Sequence, residues 1–104
     1  MEKDKFLKFI GICKKSGKLL SGDFSVEKGI FNGKVKLLIM AKDIAKDKVT
    51  KYTKYAADYH VELIVCLSKN DLGYAIGRSE ATIIGITDIN QKNKLLSLYQ
   101  QISG

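Results

Sequence analysis

Proline and tryptophan are absent from this chain, histidine and arginine occur once each, as His60 and Arg78, and cysteine occurs twice. Each scarcity excludes something. Without Pro, and without a Ser/Gly-rich stretch, a repeat or a low-complexity tract, nothing marks a linker, so the chain reads as ordered almost end to end. A lone His with no Ser or Cys beside it in a nucleophile pattern leaves little for acid–base or covalent catalysis, and at a helix end it reads as a solvent-edge residue. Cys13 and Cys66 are isolated among apolar residues and lack Cys-x-x-Cys spacing, which points to two reduced, buried thiols rather than a disulfide framework or a zinc site. The longest apolar run, around residues 37–41, is far below the roughly 20 residues that cross a bilayer. The opening Met1-Glu2-Lys3-Asp4-Lys5 lacks a secretory pattern, so a cytoplasmic protein without membrane contact is expected.

What is present is lysine. The 104 residues carry 18 Lys and Arg against 11 Asp and Glu, a net charge of +7, on a length that suits one domain, residues 1–104, with a modest core. Residues 1–54 hold fourteen Lys against six acids (+8), and residues 55–104 hold four basic residues against five acids (−1). Scattered lysines are commonly a solvated face kept for solubility. This asymmetry argues instead for an acidic polymer as partner, met by the first half.

Phe6, Ile10 and Cys13 recur at helical spacing, predicting an amphipathic helix over residues 3–16 that Gly17 stops. After a short segment, residues 18–21, Gly22-Asp23 offers a turn and cap for a second helix with Val26, Ile30 and Phe31, ended by Asn32-Gly33. Residues 35–41 are nearly continuously apolar, as in a strand covered on both faces. Asp43 is placed to cap a third helix in which Val49, Tyr52, Ala56 and Tyr59 share a face, ending at His60 before an apolar strand, residues 61–67. Ser68-Lys69-Asn70-Asp71 resembles a capping box with Asp in place of Glu, opening a short helix through Ala75. A strand over residues 81–87 follows, and Asp88 can cap a last helix with Leu95, Tyr99 and Ile102 on one face. Strands alternating with helices describe an α/β domain whose sheet is covered on both sides.

Residues 11–19 look briefly like a P-loop, but five residues separate Gly11 from Gly17, Leu19 stands where Ser or Thr is required, and a helix precedes them rather than a strand. Asp43 and Asp47 are an i, i+4 carboxylate pair, yet Lys42, Lys46 and Lys48 surround them, so they read as a cap and a surface charge rather than a metal site. No cofactor is implied. Three places suit an anion or a base. The turn Gly22-Asp23-Phe24-Ser25 precedes a helix N-terminus whose free N–H groups and dipole attract negative charge, with Lys28 a turn later; an ordinary capped start fits the same spacing. Arg78-Ser79-Glu80 follows a helix end, where the guanidinium either pairs bidentately with phosphate or guanine or is simply a surface residue in a tight turn. Ala41-Lys42-Asp43 follows the central strand, where α/β folds bind ligands.

Taken in order, Lys14-Lys15-Ser16-Gly17-Lys18 to Gly22, then Lys28, then Asn32-Gly33-Lys34-Val35-Lys36-Leu37 to Asp43, then Leu72-Gly73-Tyr74-Ala75-Ile76-Gly77-Arg78, the chain resembles the ribosomal protein family of the L-seven-Ae and L-thirty-e type, over about residues 5 to 90. The resemblance implies a three-layer α-β-α sandwich with a four-stranded mixed sheet, no enzymatic activity, and binding to RNA kink-turns or related internal loops, with no DNA expected. It also implies that Gly22, Asp23, Phe24, Ser25 and Lys28 stand at the helix opening that reads sheared G·A pairs and phosphates, and that Arg78, Ser79, Glu80 and Ala81 grip a flipped base. Phe24 and Ser25 stand where family members carry Asn-Glu, and Lys42 where many carry Glu. A phenylalanine makes no base-edge hydrogen bond, though it stacks on an unpaired base. Strict kink-turn reading therefore has less to work with here than general recognition of structured RNA.

A single mechanism joins these residues. Lys14, Lys15, Lys18, Lys28 and Lys34 neutralise phosphates, the second helix holds a sharp bend, and Arg78 fixes the other strand. The ribosome is one setting for such a protein. The alternative is a protein-interaction adaptor in ribosome assembly or regulation that offers the same basic face to an acidic partner.

Overall fold

The computed structural model describes residues 2–103. Its elements alternate as the hydropathy pattern requires: α1 (Glu2–Lys15), β1 (Leu19–Ser21), α2 (Asp23–Phe31), β2 (Leu37–Met40), α3 (Lys46–Asp58), β3 (Glu62–Val65), α4 (Lys69–Ala75), β4 (Ile83–Ile86) and α5 (Ile89–Ser103). The four strands form one mixed sheet in the order β1-β4-β2-β3, with β1 and β2 antiparallel to β4 and β3 parallel to β2. The segment 18–21 is thus an edge strand, the fourth strand of the sheet.

Because side chains alternate across a strand, the central strands feed two cores. Leu37 and Ile39 of β2 and Ile84 and Ile86 of β4 meet Phe6, Ile10 and Cys13 of α1, Leu72 of α4, and Leu95 and Leu98 of α5. Leu38, Met40 and Ile83 meet Val26 and Ile30 of α2 and Tyr52 of α3 on the opposite face. The result is an α-β-α sandwich. Gly85 alternates onto the second face, where a Cβ would come within 3.0 Å of Val35. Cys13 and Cys66 lie unpaired and buried in the first core. Burial pushes the Cys13 thiol up to about 11 and the Cys66 thiol up to about 12.

Three local expectations change. Asp43 does not cap α3, which starts after Ala45 without a side-chain cap; its Oδ1 instead accepts from the Lys69 N–H at 2.8 Å, at the start of α4. Ser68 does cap α4, its Oγ accepting from the Asp71 N–H at 3.0 Å, while the Asp71 carboxylate is held by Lys3 at 2.9 Å. The Lys3 ammonium beside it keeps the Asp71 carboxyl below the usual range. On α3 only Tyr52 is fully buried, and Val49 and Tyr59 face solvent. β3 is the other edge of the sheet, with Glu62 and Val65 exposed. At the start of α5 the Gln91 N–H donates to Asp88 Oδ2 at 2.9 Å, so Asp88 caps as its position predicts.

The sheet therefore has two ends. One carries Leu19, Ile86, Leu37 and Glu62 in a row, and the other carries Ser21, Ile83, Met40 and Val65. Helices α2 and α3 and the Arg78 loop begin at the Ser21 end; α1 and α2 finish at the Leu19 end.

Candidate nucleic-acid interface

At the Ser21 end β1 stops and the chain turns through Gly22, whose φ of 87° lies in the left-handed region where glycine costs nothing. No side chain caps α2 behind it, so the first N–H groups of that helix open toward solvent with the positive end of its dipole. Antiparallel pairing places Ser21 opposite Ile84. The Gly22 turn consequently lies beside the loop that leads into β4.

That loop, residues 77–82, is held at both ends by α4. The Arg78 N–H donates to the Gly73 carbonyl at 2.8 Å and the Ala81 N–H to the Lys69 carbonyl at 2.9 Å. Gly73 is buried where a methyl group would collide with the Glu80 backbone, so only glycine lets the loop lie this close. Arg78, Ser79 and Glu80 are exposed, with Glu80 Oε2 3.9 Å from Lys69 Nζ. Ala81 is buried and contributes to the core rather than to the surface.

Lys48 of α3 bridges the two segments. Its Nζ donates to Asp23 Oδ2 at 3.0 Å and reaches Thr82 Oγ1 at 3.5 Å, and the Tyr52 hydroxyl donates to Asp23 Oδ1. The Tyr52 hydrogen bond first, then Lys48, holds the Asp23 carboxyl below its usual range against the opposing effect of burial. Burial and the adjacent Asp23 carboxylate together push the Tyr52 phenol far up, so it remains a donor. Ser21, Gly22, Lys48, Arg78, Glu80, Ala81 and Thr82 line a small open cavity of about 170 Å³. Asp23 is thus a structural anchor of the site, whose carboxylate is already engaged.

Phe24 is a surface residue. It is 81% exposed on the first turn of α2 and plays no part in the core. With Glu27, Lys28, Phe31 and Asn32 it lines an apolar groove along the helix, and Phe31 packs on Tyr55 and Tyr59 at ring-centroid distances of 5.3 and 5.4 Å. Ser25 is exposed beside Phe24, and Lys42 is exposed where β2 leaves the sheet at the same end.

The sequence model of the ribosomal protein L7Ae/L30e/S12e/Gadd45 family matches residues 4–96. The chain belongs to this family. It is 30% identical to the RNA-binding protein YlxQ of Bacillus subtilis, over 86% of this chain and 89% of that one. It is likewise 30% identical to large ribosomal subunit protein eL8 of Thermoplasma volcanium, over 78% and 68%. A protein with unknown function from Bacillus halodurans superposes with a TM-score of 0.88 at 30% identity, covering 92% of this chain and 97% of that one. The Giardia lamblia 15.5kD RNA binding protein shares the fold, with a TM-score of 0.76 at 20% identity over 99% and 89%.

On this L7Ae/L30e-type fold the residues singled out from sequence divide. Gly22, Asp23, Phe24, Ser25, Lys42, Arg78, Ser79, Glu80 and Ala81 gather at the Ser21 end, and Lys28 lies between the two ends, in the last turn of α2. Lys14 and Lys15, in the last turn of α1, and Lys18 and Lys34, in the turns that follow α1 and α2, lie at the Leu19 end. The length of the strands, on the order of 10 Å, separates the two groups. Lys48, Tyr52 and Thr82 were not legible as site residues. Lys48 and Tyr52 share a helix face by their i, i+4 spacing, but nothing in the sequence points that face at Asp23.

Proposed function

We propose that the Ser21 end of the sheet is a non-catalytic binding site for structured RNA, a kink-turn or related internal loop, in a ribosomal or ribosome-associated and cytoplasmic setting. The observation that carries this reading is the convergence of the uncapped α2 start, with exposed Phe24 and Ser25, on the clamped Arg78-Ser79-Glu80 loop, 54 positions away from Phe24 at Arg78, across the Lys48 bridge. The names of the relatives, an RNA-binding protein and a large-subunit ribosomal protein, support the same direction.

Each part has a role that its chemistry allows. The α2 N–H groups receive a phosphate at a bend. Arg78 pairs with phosphate or a guanine edge through its planar fork. Phe24 offers a face on which an unpaired base stacks. Lys28 and Lys42 add sequence-independent attraction. Asp23, bound by Tyr52 and Lys48, is a fixed anchor and not a free base for catalysis. Phe24 replaces hydrogen-bonding groups with an aromatic ring, so shape and stacking dominate over base-edge reading.

The test is a salt titration of binding to a kink-turn RNA, the same RNA with its tandem G·A pairs replaced, and a straight duplex. Preference for the intact kink-turn that persists at higher salt supports the reading. Equal, salt-labile binding to all three contradicts it, and capture of acidic proteins in place of RNA favours the adaptor role.

A further inference from the structure

The excess positive charge lies mostly away from the site just described. At the Ser21 end Lys48 and Lys69 are paired with Asp23 and Glu80, and Lys42 and Arg78, without a carboxylate partner among the described residues, are cations that the site just described uses. At the Leu19 end Lys14, Lys15, Lys18, Lys34 and Lys36 carry no carboxylate partner among the described residues. The nearby acids are already committed, Asp88 to the start of α5 and Glu62 to Lys92 at 3.5 Å. Gly17 and Gly33 turn the chain here with φ of 74° and 73°, and neither would have a neighbour within 4 Å of an added Cβ. With Leu20, Lys34, Lys36 and Thr87 they border an open cleft of about 520 Å³.

We propose that the Leu19 end is a second, separate contact for RNA backbone, so that the protein bridges two RNA segments at opposite ends of its sheet. Lys34 and Lys36 stand at the cleft, the latter donating to the Gly33 carbonyl at 3.1 Å, and Lys14, Lys15 and Lys18 lie at the same end of the sheet. Together they form a run of ammonium groups without carboxylate partners among the described residues, which matches the repeated charge of a phosphate backbone, whereas lysine is depleted from protein–protein interfaces. Exposed glycines let a polymer backbone approach without side chains in the way. The two ends face apart, so one bent RNA motif seated on the Gly22 turn leaves the second patch free for another helix or strand. This rests on the proposal that the Ser21 end holds an internal-loop RNA, but it has its own readout.

A biotinylated kink-turn RNA is loaded with the full chain, and a fluorescent straight RNA duplex of about 20 base pairs is added at about 0.1 M salt. The wild-type protein should retain the duplex without releasing the kink-turn. Lys15→Gln/Lys18→Gln/Lys34→Gln, all at exposed positions and checked for an unchanged melting temperature, should lose duplex capture at least tenfold and lower its salt slope by about 2 to 3, with kink-turn binding kept. Phe24→Ala/Arg78→Ala, assayed with the protein itself immobilised, should lose the kink-turn and keep the duplex, and this arm supports the second contact even where no kink-turn preference exists. Displacement of the kink-turn by the duplex, undiminished capture by the triple lysine variant, or preferential capture of polyglutamate over duplex would each overturn the proposal.

Discussion

At the residue scale the Asp23–Tyr52–Lys48 cluster makes the clearest demands. Asp23 has a folded-state carboxyl pKa below its ordinary value of 3.8. Its contribution to stability is therefore present above the unfolded pKa and is lost as pH falls through the folded one. Thermal melts from pH 6 downward should show this acid loss, and Asp23→Asn should flatten that limb, leaving the part that Asp71, also lowered through Lys3, contributes. Tyr52→Phe removes a buried donor's hydrogen bond, so it should cost about 1 kcal/mol and let the Asp23 carboxyl rise toward its ordinary value in an NMR titration. Phe24→Ala is the opposite kind of change. At 81% exposure it should leave stability within about 0.5 kcal/mol while weakening RNA binding by about 1 to 3 kcal/mol through lost stacking. A fold destabilised by Phe24→Ala would mean that the ring packs where the structure shows it exposed.

At the scale of elements, α4 shows how a seven-residue helix fixes the loop that carries Arg78. It is short for a stable helix, and two oxygens from elsewhere satisfy its first N–H groups, Ser68 Oγ and Asp43 Oδ1. Asp43→Ala should cost about 1 kcal/mol and speed amide exchange in residues 69–75 while leaving α3 unchanged; faster exchange in α3 instead would restore Asp43 as the cap of that helix. Gly73→Ala puts a methyl group against the Glu80 backbone and should cost about 1 to 3 kcal/mol and misplace Arg78, read as a lower melting temperature together with weaker RNA binding. Sequence reached the helices and central strands through period and turn chemistry, which are local. It placed Asp88 and Ser68 correctly because those caps act within three residues. It missed the true partner of Asp43 because that contact spans 26 positions, and it read residues 18–21 as a connection because the strand within them, Leu19–Ser21, is three residues long and shows no period.

Over the whole molecule, the sheet order β1-β4-β2-β3 is what converts distant sequence into a site. Pairing β1 with β4 brings the Gly22 turn beside the Arg78 loop, and the same topology carries the α1 and α2 C-termini to the far end. The residues of the candidate site were legible as types: glycine before a helix, one arginine after another, lysines in number. Their division into two ends was not, because charge counted along a chain contains no direction in space. The measurement that bears most directly on the central claim is amide NMR mapping of the full chain titrated with a kink-turn RNA at about 0.3 M salt, where diffuse phosphate contacts are suppressed. Shifts concentrated at Gly22–Ser25, Lys48 and Arg78–Thr82 are the predicted result. Shifts confined to α5 and β3, or none that survive the salt, would contradict the account.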